Sequence, residues 1–205
     1  MEIVRHHGRP VGVMRDGEFA YRAGYGMANL EHEIPIASSS VFRIGSTSKQ
    51  FTAAAVALLA EQGKLRLDDP MARYFPEFPP WAEGITVMNL VNHSSGIRDY
   101  LQLTWLQGLV NDADHYSDDY VLELLARQRE TNFPPGTEYL YSNSGYLLLA
   151  HLVERVSGQS LKEYAAANIF GPLGMVDTGF RLAADKRARL AAMWLLFTPF
   201  YLELY

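Results

Sequence analysis

A serine three residues ahead of a lysine, in Ser46-Thr47-Ser48-Lys49, is the first pair whose types and spacing suit covalent chemistry. Residues three apart on a helix share a face, so hydroxyl and amine can meet. Such a pair is a nucleophile with its own base. A lysine at its reference pKa of about 10.4 is protonated at neutral pH, so the base role requires burial, a nearby cation or a phenol that shares the proton. A helix N-terminus beside the serine favours a developing alkoxide. The pattern alone is weak evidence, because it fixes two positions of common residue types and arises by chance about once in a chain of this length. The plain alternative is an N-cap serine beside a solvated lysine.

Other chemistry-bearing residues divide on the same test. Tyr141-Ser142-Asn143 lies far along the chain and by itself reads as the turn that starts a helix, since Ser and Asn cap helices well. His93-Ser94-Ser95-Gly96 invites a Ser-His pairing, but the chain holds no Gly-x-Ser-x-Gly elbow. His93 is therefore read as a turn residue whose ring bonds free carbonyls at a helix C-terminus. Asp68-Asp69-Pro70 reads as the cap of a short helix rather than an acid/base pair. Gly24-Tyr25-Gly26 lacks the third glycine of a phosphate loop, with Asn29 in its place, and reads as a strand end. His6, His7, His32, His93, His115 and His151 fall in no metal-binding frame, so neither metal nor cofactor is expected. The absence of cysteine excludes disulfides, thiolate metal sites and a cysteine nucleophile.

The elements that must hold these residues are legible from periodicity and punctuation. Phe51, Ala54, Ala55, Leu58 and Leu59 give the one-sided pattern of a core helix, closed by Gly63. Extended backwards, that helix takes Ser46 into its first turn. Asp16-Gly17 between two β-prone runs predicts a hairpin over residues 11–26, and residues 29–40 read as a polar loop. Thr86 caps a helix with Val87, Leu90 and Val91 inward, and Ser117 caps one with Val121, Leu124 and Leu125 inward. The apolar run 146–156 is a helix stopped by Gly158. Ser160 and Glu163 form a capping box for another, with Leu161, Tyr164 and Ala165 inward. Residues 101–116 show no clear period and fit either a loop over a pocket or a surface helix. Residues 193–205 form an apolar tail interrupted by Pro199, sticky if exposed.

Composition bounds the function classes. With 205 residues, 48% of them hydrophobic, the chain can bury one sizeable core. A net charge of −5 without a basic stripe argues against nucleic acid as partner. No stretch approaches the ~20 apolar residues of a membrane span, and the N-terminus lacks the apolar run of a signal peptide. As written the chain is expected in the cytoplasm; with an N-terminal segment ahead of it, in the periplasm or outside the cell.

Taken in order, the landmarks resemble the serine β-lactamase and penicillin-binding-protein superfamily, on the class C-like side that includes D,D-carboxypeptidases, D-aminopeptidases and esterases. They are the hairpin, residues 42–51, Leu67-Asp68-Asp69-Pro70, Asn92-His93-Ser94-Ser95-Gly96-Ile97, Pro135-Gly136, Tyr141-Ser142-Asn143 and Pro172-Leu173-Gly174-Met175. The resemblance covers about Val11 to Phe180. It implies an α+β, β-lactamase/transpeptidase-like fold, a helical region packed on an antiparallel sheet. It implies that Ser46 is the acylated nucleophile and Lys49 the group that takes or shares its proton. It implies further that Tyr141 relays that proton to the leaving group and that Asn143 binds the substrate amide. The implied substrate is a small molecule or peptide with an amide, lactam or ester bond, and the implied mechanism is an acyl-enzyme.

The sequence departs from the family in one motif. A late Lys-Thr-Gly or His-x-Gly strand, which supplies the second oxyanion donor, is not found; Asp177-Thr178-Gly179 is a degenerate copy, displaced into the turn after Pro172-Leu173-Gly174-Met175. The chain is thus read as truncated, with residues 1–192 a partial domain of which the hairpin is the only part of the sheet encoded. Two strands alone are marginal, so self-association through the incomplete sheet and a tendency to aggregate are expected. The alternative to a serine hydrolase is an inactive fragment or pseudoenzyme that acts as a binding protein.

Overall fold

Alanine-rich α1, Lys49–Glu61, is the helix on which the larger part of the molecule is assembled. The structure, a computed structural model, describes residues 8–109, 117–181 and 201–204. Ala55, Val56 and Leu59 of α1 are fully buried, and Phe51, Ala54 and Leu58 lean on the same core. Thr52 and Val56 join the predicted stripe, so the buried face of α1 is wider than its periodicity announced. The helix ends in a Schellman motif: Gly63 N–H donates to Ala60 O at 2.9 Å and Lys64 N–H to Leu59 O at 3.0 Å.

Four further helices are where capping and periodicity place them. α2, Val87–Val91, opens on Thr86 with a capping box to Asn89. α4, Asp118–Ala126, opens on Ser117. α5, Asn143–Ser157, opens on Ser142 and ends at Gly158. α6, Leu161–Ala165, opens on the Ser160/Glu163 box and runs on as a π-helical turn, Ala166–Phe170. The segment of uncertain character resolves in part: α3, Tyr100–Leu106, is capped by Asp99, and residues 110–116 lie outside the described residues. α5 packs chiefly on α1 and also on α2, α3 and α6. It contributes Leu147, Leu148, Leu149, Leu152 and Val153 to the core. Each fully buried leucine of this kind is worth about 1.5–3 kcal/mol over an exposed one.

The strands begin with β1, Arg9–Arg15, and β2, Glu18–Tyr25, paired antiparallel about the Asp16-Gly17 turn. Both turn residues have positive φ, 53° and 82°, as a two-residue hairpin turn requires. Val13, Met14, Phe19 and Tyr21 of this hairpin are exposed.

The hairpin is not the only β-structure. The predicted polar loop contains β3, Met27–Asn29, paired with β4, Ile34–Pro35. Next, β5, Phe42–Arg43, leads into the serine segment. Thr178, read as part of a turn, begins β6, Thr178–Arg181. Residues 193–200 of the tail lie outside the described residues, but β7, Tyr201–Leu204, pairs antiparallel with β5, Phe42 opposite Leu204. Contacts divide the chain into two units, one of Met1–Arg43 with Glu203–Tyr205 and one of Ile44–Leu202. Every residue of the candidate site belongs to the second.

Asp68 and Asp69 are structural, though not as a cap. Asp69 accepts from Arg66 N–H at 2.8 Å, from Arg73 at 2.9 Å and from the Tyr74 hydroxyl. The following short turn, Met71–Arg73, takes no side-chain cap. Burial, reinforced by the Asp69 carboxylate, pushes the Tyr74 phenol up to about 12.

Candidate active site

Ser46 sits one turn earlier in the architecture than periodicity suggests. It lies in a 3-10 turn, Gly45–Ser48, and α1 proper begins at Lys49. A 3-10 turn stacks residues three apart directly above one another, so the hydroxyl and the lysine stem still share a face. The first N–H groups of such a turn have no intrahelical partner, and the Ser46 amide is one of them.

Lys49 Nζ donates to Ser46 Oγ at 3.1 Å and to Asn143 Oδ1 at 2.9 Å. The Tyr141 hydroxyl donates to Ser46 Oγ at 2.6 Å. The same lysine nitrogen stands 4.9 Å from the Tyr141 ring centre and 5.6 Å from that of Tyr146. All four residues singled out in the sequence thus meet at one place. The meeting is produced by α1 and α5, which begin side by side. Ser142 caps α5, accepting from Gly145 N–H at 3.2 Å, which puts Tyr141 just outside the helix and Asn143 at its first position. A pocket opens here, lined by Ser46, Lys49, Thr52, Tyr100, Asn143 and Tyr146.

Two residues that sequence reasoning placed elsewhere, or not at all, hold this arrangement. His93 has φ 61° just past the end of α2. Contrary to the expectation, no bond from its ring to the carbonyls at the end of α2 is found among the described residues. Instead Nδ1 accepts from Ser142 N–H at 3.1 Å. The ring also lies against Tyr141 and Tyr146, with centroids 4.6 and 5.0 Å apart. Accepting at Nδ1 requires the neutral imidazole. Asp99 was not singled out. Its buried carboxylate accepts from Asn143 N–H at 2.5 Å, from Asn143 Nδ2 at 3.0 Å and from Leu101 N–H at 3.0 Å. The one local signal was its place just before a helix, which marks a cap and not a site.

Burial first, then the charge of Lys49, holds the His93 imidazole below its ordinary value. The unfolded chain therefore binds the proton more readily than the folded one, and stability falls as pH drops from about 6.5 toward the depressed folded value. The melting temperature of the wild type should fall between pH 7.5 and 5. It should fall less in His93→Asn, a residue that tolerates positive φ. Equal slopes in the two proteins would exclude His93 as the cause.

Among the described residues no group of three or more His, Asp or Glu side chains could hold a metal ion. No described helix is long and apolar enough to cross a membrane.

A serine hydroxyl flanked by a lysine amine and a phenol, on a helical core with small antiparallel hairpins, defines the penicillin-binding-protein-like class of fold. The chain belongs to the beta-lactamase family, whose profile matches residues 2–199. It is 35% identical over 165 residues to a penicillin-binding protein of Bacillus subtilis (strain 168), covering 79% of this chain and 35% of that one. It is 35% identical over 188 residues to a D-aminopeptidase of Cereibacter sphaeroides, covering 90% of this chain and again 35% of the relative. Among solved structures, the octameric penicillin-binding protein homologue from Pyrococcus abyssi superposes with a TM-score of 0.79 at 26% identity, covering 96% of this chain and 49% of that one. D-amino acid amidase from Ochrobactrum anthropi SV3, complexed with D-phenylalanine, gives a TM-score of 0.72 at 28% identity, covering 84% and 46%. The chain thus spans about a third of the length of these two curated relatives.

Proposed function

We propose that this chain carries the acylation centre of a serine hydrolase that acts on amide bonds of small molecules or peptides. The observation that carries the proposal is the position of Ser46 Oγ, 3.1 Å from Lys49 Nζ and 2.6 Å from the Tyr141 hydroxyl.

Ser46 Oγ attacks the substrate carbonyl while its proton passes to the Lys49/Tyr141 pair. The tetrahedral oxyanion forms beside the Ser46 N–H, one donor of an oxyanion hole, and near two helix N-termini. On collapse the C–N bond breaks, Tyr141 delivers the proton to the departing amine, and an ester to Ser46 remains. Water then attacks that ester and releases the acid, and Ser46 regains its proton. The Lys49 amine and the Tyr141 phenol both stand at hydrogen-bond distance from Ser46 Oγ, so the base is assigned to the pair. Asn143 faces the same pocket and is proposed to meet the substrate amide. Amides are favoured over lactams and esters because relatives described as a D-aminopeptidase and a D-amino acid amidase align over most of this chain. Association of copies through the exposed hairpin belongs to the same proposal.

The test is covalent labelling. Incubation with a fluorescent penicillin or a fluorophosphonate should place one adduct on Ser46, located by peptide mass mapping and lost in Ser46→Ala. Folded protein that takes no label from either probe would sink the enzymatic proposal and leave the non-catalytic one.

A further inference from the structure

We infer that Asp99 is a positioning residue for this chemistry: its buried carboxylate fixes the side-chain amide of Asn143, and through it Lys49. The inference rests on the acyl-enzyme proposal above.

The argument is one of donor and acceptor inventory. A lysine amine held at hydrogen-bond distance as a donor needs an oxygen, and a carboxylate can only accept. Asn143 lies between the two, with Oδ1 2.9 Å from Lys49 Nζ and Nδ2 3.0 Å from Asp99. Turning the amide over would set Nδ2 against the lysine and Oδ1 against the carboxylate, two repulsive pairs at once. The amide therefore has a single orientation. One of its two N–H bonds is used on Asp99. The other has no partner among the described residues, on a side chain that lines the pocket with Ser46 and Lys49. Asp99 thereby does two things at a distance. It keeps an acceptor in place that holds Lys49 on Ser46, and it leaves one Asn143 N–H to donate toward a substrate carbonyl.

A purely architectural role is the competing explanation, because Asp99 also caps α3 and bonds the backbone of α5. Ser144 supplies the control. Its hydroxyl joins the same two segments, donating to Arg98 O at 2.7 Å and accepting from Tyr100 N–H at 2.8 Å, with no bond to the Asn143 side chain.

The experiment measures the rate of Ser46 labelling, per folded molecule, by two probes: a fluorescent penicillin, which has a side-chain amide carbonyl, and a fluorophosphonate, which has none. Asp99→Asn should slow both, the penicillin on the order of 100-fold and the fluorophosphonate on the order of 10-fold, since displacement of a reacting group by about 1 Å carries penalties of this size. Ser144→Ala should lower the melting temperature and leave both rates within about twofold. If Asp99→Asn does not fold, Asp99→Ser keeps a cap for α3 and is too short to reach Asn143; the same unequal slowing is expected. Wild-type rates in the Asp99 variant, equal slowing of both probes, or equal losses in Ser144→Ala would each overturn the role of Asp99 and leave the acyl-enzyme proposal standing. A wild type that takes no label would remove both.

Discussion

Replacing Lys49 with Met will slow labelling of Ser46 by about three orders of magnitude without unfolding the protein. A positioned general base contributes 10²–10⁴-fold, and Lys49 Nζ is the one amine within reach of Ser46 Oγ among the described residues. Its stem starts α1 while its head lies in the pocket, so methionine keeps the helix and most of the packing. Lys49→Arg separates base from charge. Arginine retains the cation but holds its proton above pH 12, so it should be nearly as slow as Met. Arginine at wild-type rate would show that Lys49 acts by charge alone and that Tyr141 is the base. Labelling rate against probe concentration, followed by gel fluorescence, reads each variant directly.

Gly96→Ala will destabilise the fold by about 2–5 kcal/mol and slow Ser46 labelling along with it. Gly96 has φ +70°, where an L side chain pays a conformational cost of about 1–2 kcal/mol. A Cβ there would also lie 2.4 Å from Phe133 O and 3.1 Å from Thr131 Cβ, a backbone clash that no side-chain rotation relieves. The usual gain from restricting the unfolded chain, about 0.4–1 kcal/mol, is too small to offset this. Against a total stability of about 5–15 kcal/mol the loss is large. Denaturant titration measures it. The chemical effect arises because Gly96 lies between His93 and Asp99, and Asn132 N–H donates to Gly96 O at 2.8 Å. An Ala variant with unchanged midpoint and unchanged labelling would show that the loop relaxes freely and does not hold the site.

What the sequence made legible was what it encodes locally. Thr86, Ser117 and Ser160 announce helix starts because a cap bonds within its own turn, and Asp16-Gly17 announces a hairpin because two adjacent residues supply its positive φ. Ser46 and Lys49 were visible because they lie three positions apart, and Tyr141 and Asn143 became meaningful once the order of family landmarks was read. His93 and Asp99 were misread or overlooked because their decisive partners, Ser142 and Asn143, come more than forty residues later, 49 and 44 respectively. The 3-10 geometry at Ser46 was hidden because a span of three residues does not distinguish it from an α-turn. β3, β4 and β6 are too short to show alternation. α3 conceals its period because Trp105 and Leu106 are apolar yet exposed, while Tyr100 and Thr104 point inward.

The seam between Asp99 and Asn143 has one more implication. It closes the intervening chain into a loop whose two ends are held together, with Asn132 N–H on Gly96 O and Arg98 on Gln128 as further stitches. The closure entropy of a loop rises only logarithmically with its length, about 0.6 kcal/mol per doubling. A change of length between these stitches thus costs little in closure, while the Asp99–Asn143 and Gly96–Asn132 bonds keep the ends of the stretch together. Such a pinned stretch is where length can vary while Ser46, Lys49 and Tyr141 keep their mutual distances.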